Sequence, residues 1–528
     1  MSETYGYASD MSDHVSEAYD HARDTYDFVI VGGGTAGCVL AARLTEDPEL
    51  QVCLIEGGPT DQGNDQVLLL KNWVSLLEGP LDYNYGTVEQ PRGNSFIRHS
   101  RARVLGGCSS HNTMISFIPL PSDLDEWASL GADGWDAATF LPYAKRVQAN
   151  VVPVAEKDRN QVAVDFLTAA NAALGVPVLD DFNAQPFADG VGFFSLGYHP
   201  EDGRRSSSSV AYLHDVLGSR PNLTVEFETR VLQIEFDEQR RAVGVRVRRD
   251  DHSTSRVGAA REVVLCAGSV DTPRLLLLSG VGPAAQLAEF GIPLVADIPG
   301  VGEHLIDHPE SVIMWEASRK LPPEHVMDFD AGLFVRRDPS LTSPDLMFHF
   351  GTVPWTLNTG RLGYLAPEHG ISMTPNIPKP RTSGRLFLTS PDPDVHPALD
   401  FRYFVDDGYD EGVLVDGLKI ARTVAATEPL ARWIGREVAP GPDVVSDEDL
   451  SAYARSVAHT VYHPSGTCRM GSLSDPLVVV DPSLRVREVS GLRIVDGSIF
   501  PTMPTVNPVI TTMMIGERAA DLLKETAR

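Results

Sequence analysis

The run Asp27-Phe28-Val29-Ile30-Val31 followed by Gly32-Gly33-Gly34-Thr35-Ala36-Gly37 constrains this chain more than any other stretch. A short β-branched and aromatic run without a polar break reads as a buried strand. An apolar stretch through Leu44 then reads as a helix. In such a crossing Gly32 makes the tight turn, Gly34 lets backbone approach a diphosphate, and Gly37 lets helix and strand pack closely. Thr35 and Ala36 open the helix, whose positive N-terminal end attracts phosphate. A second buried strand over 51–55 ends in Glu56, where a carboxylate can bind both ribose hydroxyls and argues against a 2′-phosphate. The expected class is α/β, with a dinucleotide-binding βαβ unit; FAD and NAD stay undistinguished by these residues.

Order is expected from Tyr26. The polar, acidic residues 1–23 read as a flexible arm and lack a signal peptide's apolar core. No apolar run approaches the ~18 residues of a membrane span. A formal net charge of −28 excludes a nucleic-acid partner and mildly favours a cationic small molecule. Five widely spaced cysteines form no zinc motif and no disulfide framework, so no metal is expected, and free thiols point to the cytoplasm.

Residues 66–100, with Trp73, Asp82, Tyr83 and Tyr85, read as a long irregular segment, a lid over a site. Residues 121–172 read as helical, 223–227 and 242–247 as paired strands, and 262–266 as a buried strand entering Ala267-Gly268. Residues 311–405, including 346–350 and 385–388, have the texture of an antiparallel sheet. Helices are expected over 413–426, 447–456 and 509–524, with a last strand over 492–496. The only low-complexity tract is Ser206 to Ser209.

Three further motifs carry chemistry. Gly106-Gly107-Cys108-Ser109-Ser110-His111-Asn112 is a loop built for close approach to a cofactor, with reactive side chains attached. Residues 267–282 form another strand-to-helix crossing, with Pro273 starting the helix. His463-Pro464 and Asn507-Pro508 each hold a polar side chain in extended backbone before proline, which suits a site of fixed geometry.

The run from Arg103 to Asn112 and the run 267–282 resemble the two signatures of the glucose-methanol-choline oxidoreductase family, and His111 resembles the branch that oxidises choline. The resemblance covers about residues 25–525. It implies FAD, covalently linked through His111, in a discontinuous Rossmann-like domain (24–172, 203–310 and 457–528). A second α+β substrate domain on an antiparallel sheet (173–202 and 311–456) follows from it too. Arg103, Gly106, Gly107, Ser110, Asn112, Thr113, Val231, Ala267, Gly268, Asp496, Gly497, Asn507 and Pro508 are implied at the cofactor. Thr113 stands where that branch has serine. His463 is implied as the base, with Asn507 and His349 bonding the substrate oxygen. Glu310 is implied to face a trimethylammonium head among Trp73, Phe329, Trp355 and Tyr462, with Phe329 and Trp355 exchanging the branch's tryptophan and phenylalanine. Val461 matches a small apolar residue that admits oxygen. The implied reaction is hydride transfer from choline, and then the aldehyde hydrate, to flavin N5, with oxygen giving hydrogen peroxide and glycine betaine. The implied partners are the small alcohol and oxygen, in a homodimer. A relaxed primary-alcohol oxidase, a choline dehydrogenase and a flavin-bearing lyase share the same machinery.

Overall fold

The computed structural model describes residues 24–323 and 326–527, so the arm expected over 1–23 lies outside the described residues. Two sheets organise the chain. The first has seven strands, in the order Leu223–Glu226, Val52–Ile55, Thr25–Val31, Thr254–Leu265, Ala242–Arg249, Thr229–Phe236, with Leu492–Ile494 also on Thr254–Leu265. The strand before the glycines pairs in parallel with Val52–Ile55 and with the C-terminal half of Thr254–Leu265. This centre is apolar on both faces, as a parallel sheet covered by helices requires. Helix Thr35–Leu44 packs on it through eight buried residues, against the C-terminal helix Val509–Ala527.

The twelve-residue strand Thr254–Leu265 serves two layers. Its first half pairs antiparallel with Ala242–Arg249, and its second half joins the parallel centre. The expected pairing of 223–227 with 242–247 is wrong. Leu223–Glu226 pairs in parallel with Val52–Ile55, while Ala242–Arg249 takes Thr229–Phe236 as its hairpin partner. Only two of the eight residues of Thr229–Phe236 are buried, so its hydrophobic pattern is weak.

The second sheet has nine strands, running Ile434–Ala439, Ile313–Ala317, Gly370–Asn376, Leu346–Gly351, Ala331–Val335, Gly190–Phe193, Val178–Leu179. Pro309–Glu310 pairs with Gly370–Asn376 and in turn carries His459–Thr460. Gly384–Phe387, expected in the same texture, lies instead in a separate three-stranded sheet with Glu303–Leu305 and Ala398–Asp400. Residues 121–172 are broken into helices Pro121–Ser129, Ala137–Phe140 and Gln161–Leu174, with 3-10 turns and the strand Val151–Pro153 between them. The segment 66–100 is more regular than expected: short helices at Asp65–Leu68 and Trp73–Leu76 precede the strand pair Tyr85–Gly86 and Arg98–His99. Pro273 sits inside helix Gly268–Leu278 rather than at its start. Among the described residues no helix is long and apolar enough to cross a membrane.

Candidate active site

One cavity runs from the glycine turn after Val31 to the face of the second sheet. At its first end the backbone leaves no room for side chains. A Cβ on Gly37 would lie 2.0 Å from the Gly32 carbonyl oxygen, and one on Gly107 would lie 2.7 Å from Gly34 Cα. Gly32 and Gly107 also have positive φ, +102° and +54°. The Gly106 N–H donates to the Gly33 carbonyl at 2.7 Å, locking the second glycine loop onto the first. Glu56 closes this end. Its carboxylate accepts N–H groups from Gly33 at 2.9 Å and Gly58 at 2.8 Å, and burial pushes it up to about 7. The N-terminus of helix Thr35–Leu44 has no side-chain cap and opens on the cavity through Gly34, Thr35 and Ala36. Free backbone donors, absent side chains and a terminal carboxyl fit the diphosphate and ribose of a dinucleotide. Replacing Gly37 by alanine is expected to strain the crossing by about 1–3 kcal/mol and to lower the flavin-to-protein ratio after desalting. A parent-like ratio would contradict this close-packing role.

The loop carrying His111 is held from behind by a serine cluster. Ser206 to Ser209, read above as low complexity, are all buried. The Ser208 N–H donates to Ser109 Oγ at 3.0 Å, and Ser209 Oγ bonds Asp61 at 2.5 Å. Arg205 is fully buried. It donates to the carbonyls of Val67 at 2.7 Å and Asn112 at 2.6 Å, tying the lid segment to the loop, and burial pulls it down to about 9. His111 itself is buried. Its Nε2 lies 2.7 Å from the Leu76 carbonyl and 3.9 Å from Asp82. Burial lowers it to about 4, so the ring is neutral, with an N–H on Leu76 and a lone pair on the other nitrogen.

At the far end, strand register assembles the reactive groups. Pro309–Glu310 runs antiparallel to His459–Thr460, and Ile306 bridges Ser465. This brings the rings of His308 and His463 together, with their Nδ1 atoms 2.9 Å apart. His308 Nε2 lies 3.0 Å from both the Pro378 and the Pro504 carbonyl oxygens. Carbonyls only accept, so His308 carries its proton on Nε2. Burial holds His308 at about 4 and His463 well below its usual range, so both rings are neutral. His308 Nδ1 is therefore the acceptor and His463 Nδ1 the donor, which leaves the lone pair of His463 on Nε2. Asp307 anchors the same strand by accepting the His463 N–H at 3.0 Å and the Tyr403 hydroxyl at 2.6 Å. Asp123 holds the other segment through the N–H and hydroxyl of Thr505, at 2.7 and 2.8 Å.

His463, Asn507 and His349 all line the cavity, as do Glu310, Trp73, Phe329, Trp355, Val461 and Tyr462. Trp73 stacks on Trp355 at 5.7 Å, and Phe329 stands edge-on to both, at 6.2 and 5.3 Å. Burial takes His349 down to about 4 and Glu310 up to about 8. The cavity also carries Asn112, Thr113, Val231, Ala267, Gly268, Asp496, Gly497 and Pro508. Asp496 spends one oxygen on the Gly268 N–H and the Thr272 hydroxyl, at 2.8 and 2.6 Å. Gly37, Arg103, Gly106 and Ser110 are not in the lining; Gly106 holds the loop through its backbone N–H, and the Ser110 hydroxyl donates to the Leu105 carbonyl at 2.7 Å. His308, Asp307, Arg205 and the serine cluster have no role in the sequence reading. His308 stood in view in Asp307-His308-Pro309-Glu310, but the carbonyls that fix it lie about 70 and 200 residues away.

The N-terminal signature of the GMC oxidoreductase family matches residues 26–310, and its C-terminal signature matches 380–516. The choline oxidase of Arthrobacter globiformis is 44% identical over 97% of this chain and 96% of that protein. The mitochondrial choline dehydrogenase of Homo sapiens is 34% identical over 97% and 91%. Among solved structures, pyridoxine 4-oxidase from Mesorbium loti superposes with a TM-score of 0.87 at 28% identity, covering 95% of this chain and 99% of that one.

Proposed function

The chain belongs to the GMC oxidoreductase family, and from that premise we propose that it oxidises choline with oxygen as acceptor. It is an FAD-dependent oxidoreductase acting on alcohol donors. The observation that carries the choline reading is a buried carboxyl, Glu310, beside a three-ring aromatic cage, in the same cavity as a histidine with a bare Nε2. A quaternary ammonium group offers no classical N–H donor, so ring faces and one carboxylate are its natural receptor. The identity with the Arthrobacter enzyme supports the same reading.

Gly32, Gly34, Thr35, Ala36 and Glu56 would hold the dinucleotide end of FAD, and Gly107, His111, Asn112, Thr113 and Gly497 its flavin end. When bound, FAD would supply the hydride acceptor and the route for the electrons to oxygen, with hydrogen peroxide as the product. The chain's own residues do the rest. The cage and Glu310 hold the cationic head and exclude water. His463 Nε2 takes the hydroxyl proton as general base, and its own Nδ1–H stays on His308. Asn507 and His349 hydrogen-bond the oxygen as it gains charge. The aldehyde hydrate presents a second hydroxyl to the same base, and its oxidation yields glycine betaine. Asp307 and Asp123 fix the two pre-proline segments, so the base and the amide cannot drift apart.

In this reading His111 would carry the flavin through a covalent link. The neutral ring, its N–H held by Leu76, keeps the lone pair that a C–N bond needs. Acid precipitation of the parent should leave the yellow colour in the pellet, and His111→Ala should release it to the supernatant. Colour released from the parent would end the covalent proposal. The two sheets support a division into an FAD domain and a substrate domain, and the unpaired thiols support a cytoplasmic setting. Oxygen uptake with choline, set against a neutral alcohol such as 3,3-dimethylbutanol, tests the substrate. Equal or better use of the neutral alcohol at every pH from about 6 to about 9 would leave a primary-alcohol oxidase of relaxed specificity.

A further inference from the structure

Glu310 is 5% exposed. The groups acting on it are Thr374 and Trp355, which hydrogen-bond it, and Asp307, which repels its charge; none is a cation. Among the described residues, the ionisable side chains packed around it do not supply one. His459 pairs with it across the strands, His349 and His463 line the same cavity, and burial holds all three rings neutral. Burial and the negative charge of Glu310 keep Tyr462 protonated; Arg101 lines the same cavity, but its guanidinium donates to the Ser100 and Tyr462 carbonyls and is not among the groups acting on Glu310. Among the described residues the carboxyl thus stands without a counter-charge, against ring faces that bind a cationic and an apolar head equally well by shape.

We propose that Glu310 exchanges its proton for the cationic head of the substrate, so that the one pocket takes two classes of primary alcohol: quaternary-ammonium alcohols on the carboxylate, and neutral branched alcohols on the carboxylic acid. The inference rests on the choline reading above and extends it. A trimethylammonium and a tert-butyl group have nearly the same shape, so charge is the only property left to choose between them. A carboxylate sealed under a tert-butyl group keeps only its Thr374 and Trp355 hydrogen bonds, with neither water nor a counter-charge. A protonated carboxyl under trimethylammonium leaves that cation unpaired. Burial, reinforced by Asp307, pushes Glu310 up to about 8, so both forms are available near neutral pH. The sign follows directly. Below about 8 the empty site holds the acid, and a cation must expel a proton to bind, so choline weakens as pH falls. Above it the site holds the carboxylate, and the neutral alcohol weakens as pH rises.

The test compares kcat/KM for choline and for 3,3-dimethylbutanol on the holoenzyme from about pH 6 to about pH 9. His463, Asn507 and His349 treat both hydroxyls alike, so their titrations cancel in the ratio. The choline-to-neutral ratio should climb about tenfold per pH unit, one proton being exchanged. In Glu310→Gln it should be independent of pH. A second measurement needs no variant. Tetramethylammonium added to the weakly buffered holoenzyme near pH 7 should release close to one proton per site, because a group titrating at about 8 is then about nine-tenths protonated. A flat ratio in the parent, with choline still oxidised, overturns the exchange and leaves the choline reading standing. A slope that survives in Glu310→Gln, or no proton release, overturns it as well. Failure to oxidise choline at any pH overturns the reading on which it rests.

Discussion

Replacing His463 by alanine is expected to slow the anaerobic reduction of bound flavin by choline about 100- to 10,000-fold, the range general-base removal costs. The expectation comes from the tautomer and not only from position. His308 is committed as a donor to two carbonyls through Nε2, so its Nδ1 can only accept. His463 must donate there, and its remaining nitrogen has no proton. Burial keeps that ring neutral over the working range, so the base is available without a prior deprotonation. Stopped-flow reduction at saturating choline checks this, with the flavin spectrum as the control for an intact cofactor site. A variant that keeps its flavin and is reduced as fast as the parent would remove His463 from the mechanism.

Truncating Glu310 to alanine is expected to cost choline about 2–5 kcal/mol, or roughly 30- to 5,000-fold in kcat/KM at pH 9, as expected when one member of a buried charge pair is lost. The neutral alcohol should lose far less, because it never drew on the carboxylate. The penalty should fall on KM more than on the limiting rate, since Glu310 holds the end of the substrate remote from the reacting carbon. Loss of both alcohols in equal measure would make Glu310 a packing residue. Loss confined to choline would fix the charge as the reason that choline is preferred.

The parts of this molecule legible in the sequence are those where local chemistry permits only one reading. Gly32, Gly34 and Gly37 are required by backbone contacts within one crossing, so the glycine spacing carries the geometry with it. His463 and Asn507 announce themselves because each precedes a proline. Other features depend on what the chain brings from far away. Ser206 to Ser209 look like a tract of no content, yet they pack against Ser109 and Asp61 in the interior. His308 gains its role only from the Pro378 and Pro504 carbonyls. The pairing of Leu223–Glu226 with Val52–Ile55 is a long-range parallel contact, and nothing in either run distinguishes it from a local hairpin. The cage is an intermediate case: its rings are visible in sequence, but their stacking arises because the lid segment folds Trp73 onto Trp355.

The central claim is that an alcohol with a cationic head reduces this flavin and that oxygen takes the electrons. It is tested most directly by mixing the holoenzyme with choline without oxygen, watching the flavin absorbance, and then admitting a known amount of oxygen. The account predicts that the yellow colour bleaches, that it returns on aeration, and that hydrogen peroxide appears in proportion to the oxygen consumed, reaching two per choline when the aldehyde hydrate is also oxidised. Flavin that stays oxidised under choline, or bleached flavin that oxygen does not restore, would contradict it.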